Sequence, residues 1–455
     1  MAKWKLFVKN YGKIDRAEIE CAPLTLIVGD NNCGKSYLMS LLWGIKNYGI
    51  MRFMDGNMIW RTESSKKVIN WMSNIIEKTG EGCKTDTKVS YDICLELENL
   101  VNEFMKCNKD ALLSWIFNSN TVHADEIRIV MDKEECLNYS VCCEKKAQHI
   151  AVEFCYGAYN CCKNSYGIGG WIEGENEQNK VFNICFLIKA LVSEMLECVF
   201  HGGRNQYTYL PAARTGFMLA KDVVNKVGRE QTFNYQGEST NIIPFTRPIN
   251  QFLDIINDLT IEPNGSTQYI SLAKDIERYM LNGNVDISNT ANKEVFYTPN
   301  GENKNIPLRT VSAVVTELTP LVLLLKHSDK INDLYYEEPE MCLHPQLQNM
   351  MSKVVVRMVN EGIHVVATTH SDILIQGINN RIKLYSHPEK DRICGELNIE
   401  ENELIDANDV SVYQFEIKNN KSRLTKLECG ENGFIVPTFN NALDMIMEEA
   451  YKIQG

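Results

Sequence analysis

Hydrophobic and polar positions alternate through Lys3–Val8 and again through Ile14–Glu20, either side of Tyr11-Gly12. Period-two alternation about a glycine turn predicts two antiparallel strands. Leu24–Val28 is apolar without interruption and short, the pattern of a strand buried on both faces. Apolar residues then return at helical spacing through Tyr37–Tyr48. Between that strand and that helix stands Gly29-Asp30-Asn31-Asn32-Cys33-Gly34-Lys35-Ser36.

From about residue 50 to 200 the pattern changes. Val68–Glu77, Asp92–Cys107 and Val181–Phe200 carry helical spacing, whereas Glu126–Asp132 and Ile150–Tyr156 alternate like strands. The glycines of Tyr166–Gly170 predict a loop, and Glu173–Gln178 is an acidic stretch. This reads as an insertion without a chemical motif of its own. Tyr207–Leu210 is a further strand, and Ile249–Leu259 and Leu272–Leu281 are the main pieces of a second helical stretch. The last third returns to α/β alternation. It has a helix over Val311–Lys326 despite Pro320, a strand ending at Leu334–Tyr336, a helix over Gln346–Asn360 and a buried strand over His364–Thr368. The tail reads as strand, polar turn, strand and a closing helix from Asn441 to Lys452.

Composition narrows the class. With 44% hydrophobic and 23% charged residues the chain is globular, and 455 residues fit two to three domains, or one large domain with insertions, at roughly 150 residues each. Its 59 acidic against 47 basic residues give −12, which argues against wholesale coating of nucleic acid or anionic membrane and leaves a local basic stripe open. No apolar run reaches the roughly 18 residues of a spanning helix, and the N-terminus lacks the apolar core of a secretion signal. Eleven of the sixteen cysteines fall between Cys83 and Cys198, with no C-x-x-C and only His149 among the densest group. Buried reduced thiols in a cytoplasmic protein explain them better than a zinc site does.

Three segments carry chemistry. Gly29–Ser36 fits G-x-x-x-x-G-K-S in full, in the strand–loop–helix setting that a phosphate-binding loop requires. Its glycines let backbone N–H groups curl around phosphate oxygens at a helix N-terminus. Lys35 would neutralise the β/γ-phosphates and the Ser36 hydroxyl would ligate Mg²⁺. Glu337-Glu338-Pro339-Glu340 follows a buried strand, and two carboxylates there are costly unless a cation or proton donor balances them. One can enter a Mg²⁺ shell while its neighbour activates water; alone, the same pair is an acidic turn. His370, 32 residues after Glu338, ends an apolar strand and can donate to a γ-phosphate or to the attacking water. A lone histidine at such a place is more often structural.

In this order, Gly29–Ser36, Glu337–Glu340 with Leu343-His344-Pro345, and Thr368-Thr369-His370-Ser371 resemble the ABC-type ATPases of the SMC/RecF/OLD group. More narrowly they resemble the AAA-family ATPases of bacterial anti-phage defence operons. The resemblance covers residues 1–48 and 205–455. It implies an α/β fold of the P-loop NTPase, ABC-ATPase type: a mixed sheet flanked by helices, N-terminal antiparallel strands and a large mainly helical insertion. The expected divisions are 1–50 with the phosphate loop, 51–200 as insertion, 201–305 as core continuation with a helical subdomain, and 306–455 as the C-terminal core.

The resemblance further implies ATP and Mg²⁺ as cofactors. Gly29, Asn32, Gly34, Lys35, Ser36 and Tyr37 would bind nucleotide, Ser36 and Glu337 the metal, and Glu338 and His370 would be catalytic. Leu343-His344-Pro345 falls where such proteins keep a dimer-contacting loop. Ser312 matches the signature serine that completes a partner's site, although Ala313 and Val314 replace the glycines that usually follow it. Arg214, in Tyr209–Arg214, resembles a recurring segment and would face phosphate or a partner, with a surface ion pair as the plain alternative. Asp409–Phe415 and Gly433–Pro437 also resemble the defence-type ATPases.

The leading expectation is an ATP-hydrolysing sensor or scaffold. It would form a homodimer or higher homo-oligomer and control an effector encoded nearby, a nuclease or toxin, with DNA or a phage component as an open further partner and no membrane. The alternatives are a RecF-like repair ATPase acting directly on DNA, and a nucleotide-gated binding module with negligible turnover.

Overall fold

The computed structural model describes residues 4–48, 59–80, 82–146, 149–157, 161–169, 177–196, 207–221, 245–259, 267–288, 294–328, 331–437 and 447–453. They form two compact units, residues 1–20, 44–115 and 119–203, and residues 21–43, 116–118 and 204–455.

In the first unit the strand Trp4–Tyr11 pairs antiparallel with Ile14–Glu20 and, on its other edge, with Glu126–Met131. Gly12 supplies the φ of +56° that the tight Gly12-Lys13 turn needs. A second sheet runs in chain order through Lys84–Lys88, Tyr139–Lys146, His149–Tyr156 and Cys161–Gly169, all antiparallel. The last strand corrects the loop expected at Tyr166–Gly170. Its backbone pairs Tyr166 with Val152 and Ile168 with Ile150, and glycine weakens such a strand without excluding it. Gly170 and residues 173–176 lie outside the described residues. The helix Glu63–Lys78 starts on Thr62, whose side chain accepts the Ser65 N–H, and packs on the helix Glu177–Met195. The helix expected over Asp92–Cys107 runs on to Phe117. No glycine or proline stops it, and Leu112, Leu113 and Ile116 bury their side chains.

The second unit is built on six strands in the order Lys421–Leu427, Val410–Lys418, Leu24–Gly29, His364–Thr369, Asp333–Glu337 and Tyr207–Leu210. All neighbours are parallel except the first pair, a hairpin closed by Asn419-Asn420 with φ of +52° and +60°. Leu24–Gly29 and Asp333–Glu337 are buried at every residue, as strands covered on both faces must be. Their apolar cluster continues into the helices Ala313–His327, Pro345–Asn360 and Asp372–Tyr385. Pro320 sits inside the first of these, which tolerates the lost backbone bond because Val315–Leu325 is entirely buried. The expected Leu272–Leu281 helix is α-helical over Ile270–Ile276. It then widens into a π turn over Glu277–Leu281 that ends at Asn282, φ +51°. Residues 447–453 are helical, and 441–446 of the expected closing helix lie outside the described residues. No helix among the described residues is long and apolar enough to cross a membrane.

Parallel register fixes what meets at the carboxyl edge of this sheet. Glu337 stands beside Thr368, and Thr369 beside Val28. The loop after Leu24–Gly29, the acidic turn after Asp333–Glu337 and the histidine after His364–Thr369 therefore leave three adjacent strands at one edge. Open parallel sheets bind their ligands at such an edge.

Candidate active site

The loop Gly29–Ser36 bends through three left-handed or near-left-handed positions: Gly29 (φ +142°), Asn32 (+61°) and Gly34 (+105°). At Gly29 a Cβ would stand 2.9 Å from Phe415 Cβ and 3.1 Å from Phe415 O, so the neighbouring strand itself demands glycine. Cys33 is buried under the loop, where its carbonyl accepts the Ser422 hydroxyl at 2.6 Å. Lys35 opens the helix Lys35–Tyr48 and folds back, donating from Nζ to the carbonyls of Gly29 and Asp30, both at 2.9 Å. Ser36 and Asn32 are exposed beside it. Tyr37 is exposed too, its ring 5.1 Å from that of Phe117.

Glu337 ends its strand buried. One carboxylate oxygen accepts the Tyr209 hydroxyl at 2.7 Å and the other the Ala212 N–H at 2.9 Å. Each oxygen keeps a lone-pair direction unused by these bonds. A carboxylate and the Ser36 hydroxyl are both hard oxygen donors of the kind that suit Mg²⁺. Glu338 follows at φ +44°, a region a residue with a side chain enters at a cost of about 1–3 kcal/mol. Its N–H donates to Thr368 O at 3.0 Å, which pins the turn to the histidine strand. Burial, and then the charge of Glu337, push the Glu338 carboxyl above the usual carboxylate range.

The Nε2 atom of His370 lies 3.8 Å from Glu338 Oε1, each side chain one-third exposed at 33%. Burial and then the Lys35 charge hold this imidazole below its ordinary value, which favours the neutral ring. Its backbone N–H donates to Glu340 Oε1 at 2.7 Å, and burial raises the Glu340 carboxyl. The edge thus assembles an ammonium, a hydroxyl, two carboxylates and an imidazole. Such a set can hold a polyphosphate and polarise water next to it.

Ser312 stands elsewhere in the unit, exposed as the N-cap of the helix Ala313–His327 with its hydroxyl capping no backbone N–H. Arg214 corrects its expectation: it is neither on the surface nor open to a phosphate. It is fully buried and ion-paired at 2.9 Å to Glu317. Tyr209, Glu317, Glu340 and Thr368 were not among the expected site residues. Glu340, Thr368 and Tyr209 lie within segments that the sequence singles out, without a role of their own there, and Glu317 leaves a separate trace as a lone acid in the apolar run Ala313–Leu325, where a buried charge implies a partner.

The AAA ATPase domain family matches residues 4–166 and 221–375 of the chain. The curated protein Endonuclease GajA of Bacillus cereus (strain HuB5-5) is 23% identical over 399 residues. The match takes in 79% of this chain and 54% of that protein, so the chain spans about half the length of this relative. Among solved structures, the SMC head domain from Thermotoga maritima is 11% identical with a TM-score of 0.32, covering 94% of this chain and all of that one. The Smc head domain with an extended coiled coil, bound to the C-terminal domain of ScpA derived from Pyrococcus furiosus, is 10% identical with a TM-score of 0.34, with both chains fully covered. With a family match over most of its length and the phosphate loop and carboxylate turn at one sheet edge, this chain belongs to the AAA ATPase domain family.

Proposed function

We propose that this chain binds ATP with Mg²⁺ at Gly29–Ser36, hydrolyses it, and uses the nucleotide cycle to control a separately encoded effector in anti-phage defence. The observation that carries the proposal is the convergence of loop, carboxylate turn and histidine on three adjacent parallel strand ends. In this reading the loop N–H groups and Lys35 hold the β- and γ-phosphates, with Asn32 and Tyr37 shaping the mouth of the site. Ser36 and Glu337 would hold Mg²⁺, which when bound neutralises phosphate charge. Glu338 accepts the proton of the attacking water, and its raised affinity for protons suits a base working near neutrality. His370, whose neutral form burial favours, donates a hydrogen bond toward the γ-phosphate. A second copy completes the site with its Ser312. Similarity to a protein named as an endonuclease supports a nuclease as the effector.

Two substitutions test the chemistry. Lys35→Ala should abolish ATP binding, and Glu338→Gln should keep binding while lowering phosphate release roughly 10²-fold or more. Hydrolysis by Glu338→Gln at the parental rate would remove Glu338 from its role. Co-expressing the Glu338→Gln chain with its flanking genes and weighing the purified product tests the effector. A stoichiometric neighbour is expected; a bare homo-oligomer whose hydrolysis rises with DNA would favour direct action on DNA instead.

A further inference from the structure

The side chain of Arg214 has 0% exposure, yet all five of its N–H donors are used. Nε donates to Glu317 O at 3.3 Å. Nη1 donates to Pro211 O at 2.9 Å and Glu337 O at 2.6 Å. Nη2 donates to Glu338 O at 3.0 Å and meets Glu317 Oε1 at 2.9 Å. The guanidinium carbon lies 4.8 Å from the centroid of the Tyr336 ring, so the whole strand end lies against it. Glu317 is just as fully engaged, accepting the Arg214 N–H at 3.3 Å on Oε1, and the Thr215 N–H and hydroxyl at 2.9 and 2.6 Å on Oε2.

A buried ion pair of this kind is a poor stabiliser, because desolvation offsets the attraction and an apolar pair of equal volume holds a fold about as well. What an apolar pair lacks is a grip on carbonyls. Arg214 grips the two consecutive carbonyls of Glu337 and Glu338, the second of which has left-handed backbone. Its counter-ion belongs to the helix that begins at Ser312. Glu317 is five residues into that helix, about 7–8 Å along the axis at 1.5 Å per residue. Arg214 thus bonds the Glu338 turn directly to the helix that Ser312 caps.

We infer that Arg214, held by Glu317, is a positioning residue that fixes the Glu338 turn and ties it mechanically to the helix capped by Ser312, so that contact at Ser312 sets the rate of hydrolysis. This rests on Glu338 acting as base and on Ser312 meeting a partner. Neither Arg214 nor Glu317 is assigned a contact with nucleotide.

The test separates binding from turnover. Arg214→Met/Glu317→Met removes both charges at similar volume, and Arg214→Lys keeps both charges with at most three donors in place of five. Dissociation constants for a fluorescent ATP analogue with Mg²⁺, kcat for phosphate release and thermal unfolding are measured on each full chain. The expected result for the double variant is a cooperative melt, affinity within about threefold of the parent and kcat down about tenfold or more, the signature of misplacement at the reacting centre. Arg214→Lys should recover part of that kcat at the same affinity. Parental kcat in the double variant overturns the inference, and so does a joint fall of melting, affinity and kcat, which marks a purely structural tie. Should the double variant fail to fold, Arg214→Lys decides by the same split: lowered kcat at parental affinity supports the inference, and unchanged kcat overturns it. Glu338→Gln run in parallel distinguishes the two levels. If it turns over normally, the base assignment fails; if it is inactive while Arg214→Met/Glu317→Met is fully active, only the tie fails.

Discussion

At single residues, this site depends on backbone that most side chains avoid. Gly29 at φ +142° sits against Phe415, and Glu338 at +44° is kept there by its bonds to Thr368 and Arg214. Gly29→Ala should therefore destabilise the fold by about 1–3 kcal/mol through overpacking, and weaken ATP binding because the loop must move. Thermal denaturation and nucleotide titration measure both effects, and parental values in both would show that the loop does not need this contact. Much of this scale was legible beforehand. The phosphate loop is local in sequence, and so is the carboxylate pair, so residue type and spacing sufficed. The partners that hold these groups are not local. Tyr209 reaches Glu337 across 128 positions and Arg214 reaches Glu317 across 103, and no periodicity encodes such a meeting. Arg214 was misplaced for that reason, since a basic residue after a strand carries no mark of how deeply it will be buried.

Between elements, polar side chains do the joining at several junctions. Asn379, on the helix Asp372–Tyr385, donates to Phe434 O and accepts the Phe434 N–H, both at 2.9 Å, and is itself buried. Asn379→Leu leaves an N–H and a C=O buried and unanswered, so it should cost about 2 kcal/mol or more. Urea denaturation would show it, and an unchanged midpoint would mean that the tail reorganises freely. On the same helix, Ser371 caps the Leu374 N–H and donates to Gln348 Oε1 at 2.7 Å, linking the end of the histidine strand to the helix Pro345–Asn360. Helices and buried strands were readable here because their apolar periods are strong. Several strands were not, and two show why. Lys84–Lys88 is polar, with no apolar face to announce it, and in Tyr139–Lys146 the adjacent cysteines 142 and 143 are both buried, which blurs the alternation.

For the molecule as a whole, the cysteines report on packing. Cys83, Cys107, Cys143 and Cys185 are free thiols. Burial pushes the thiols of Cys143 and Cys185 up to about 12, so thiolate is scarce there near neutrality. Native alkylation at about pH 8 should label exposed Cys83 and Cys107 and spare Cys143 and Cys185, with all four reacting in denaturant. Peptide mass spectrometry resolves the sites, and native labelling of Cys143 as fast as Cys107 would contradict its burial. Assembly has its own probe. Ser312→Arg should lower the oligomeric mass and slow hydrolysis together, and unchanged mass and activity would remove Ser312 from any shared site. The order of strands has a consequence for biosynthesis. Leu24–Gly29 is made early, yet both its neighbours, His364–Thr369 and Val410–Lys418, are made late. At about 5–20 residues per second, a ribosome takes roughly 20–70 s to travel from the first strand to the histidine strand. Throughout that interval an apolar segment meant for burial on both faces has no sheet to join, the condition under which nascent chains aggregate. A chain arrested on the ribosome before His364 will leave the phosphate loop open to protease and dependent on chaperones that hold unfolded segments.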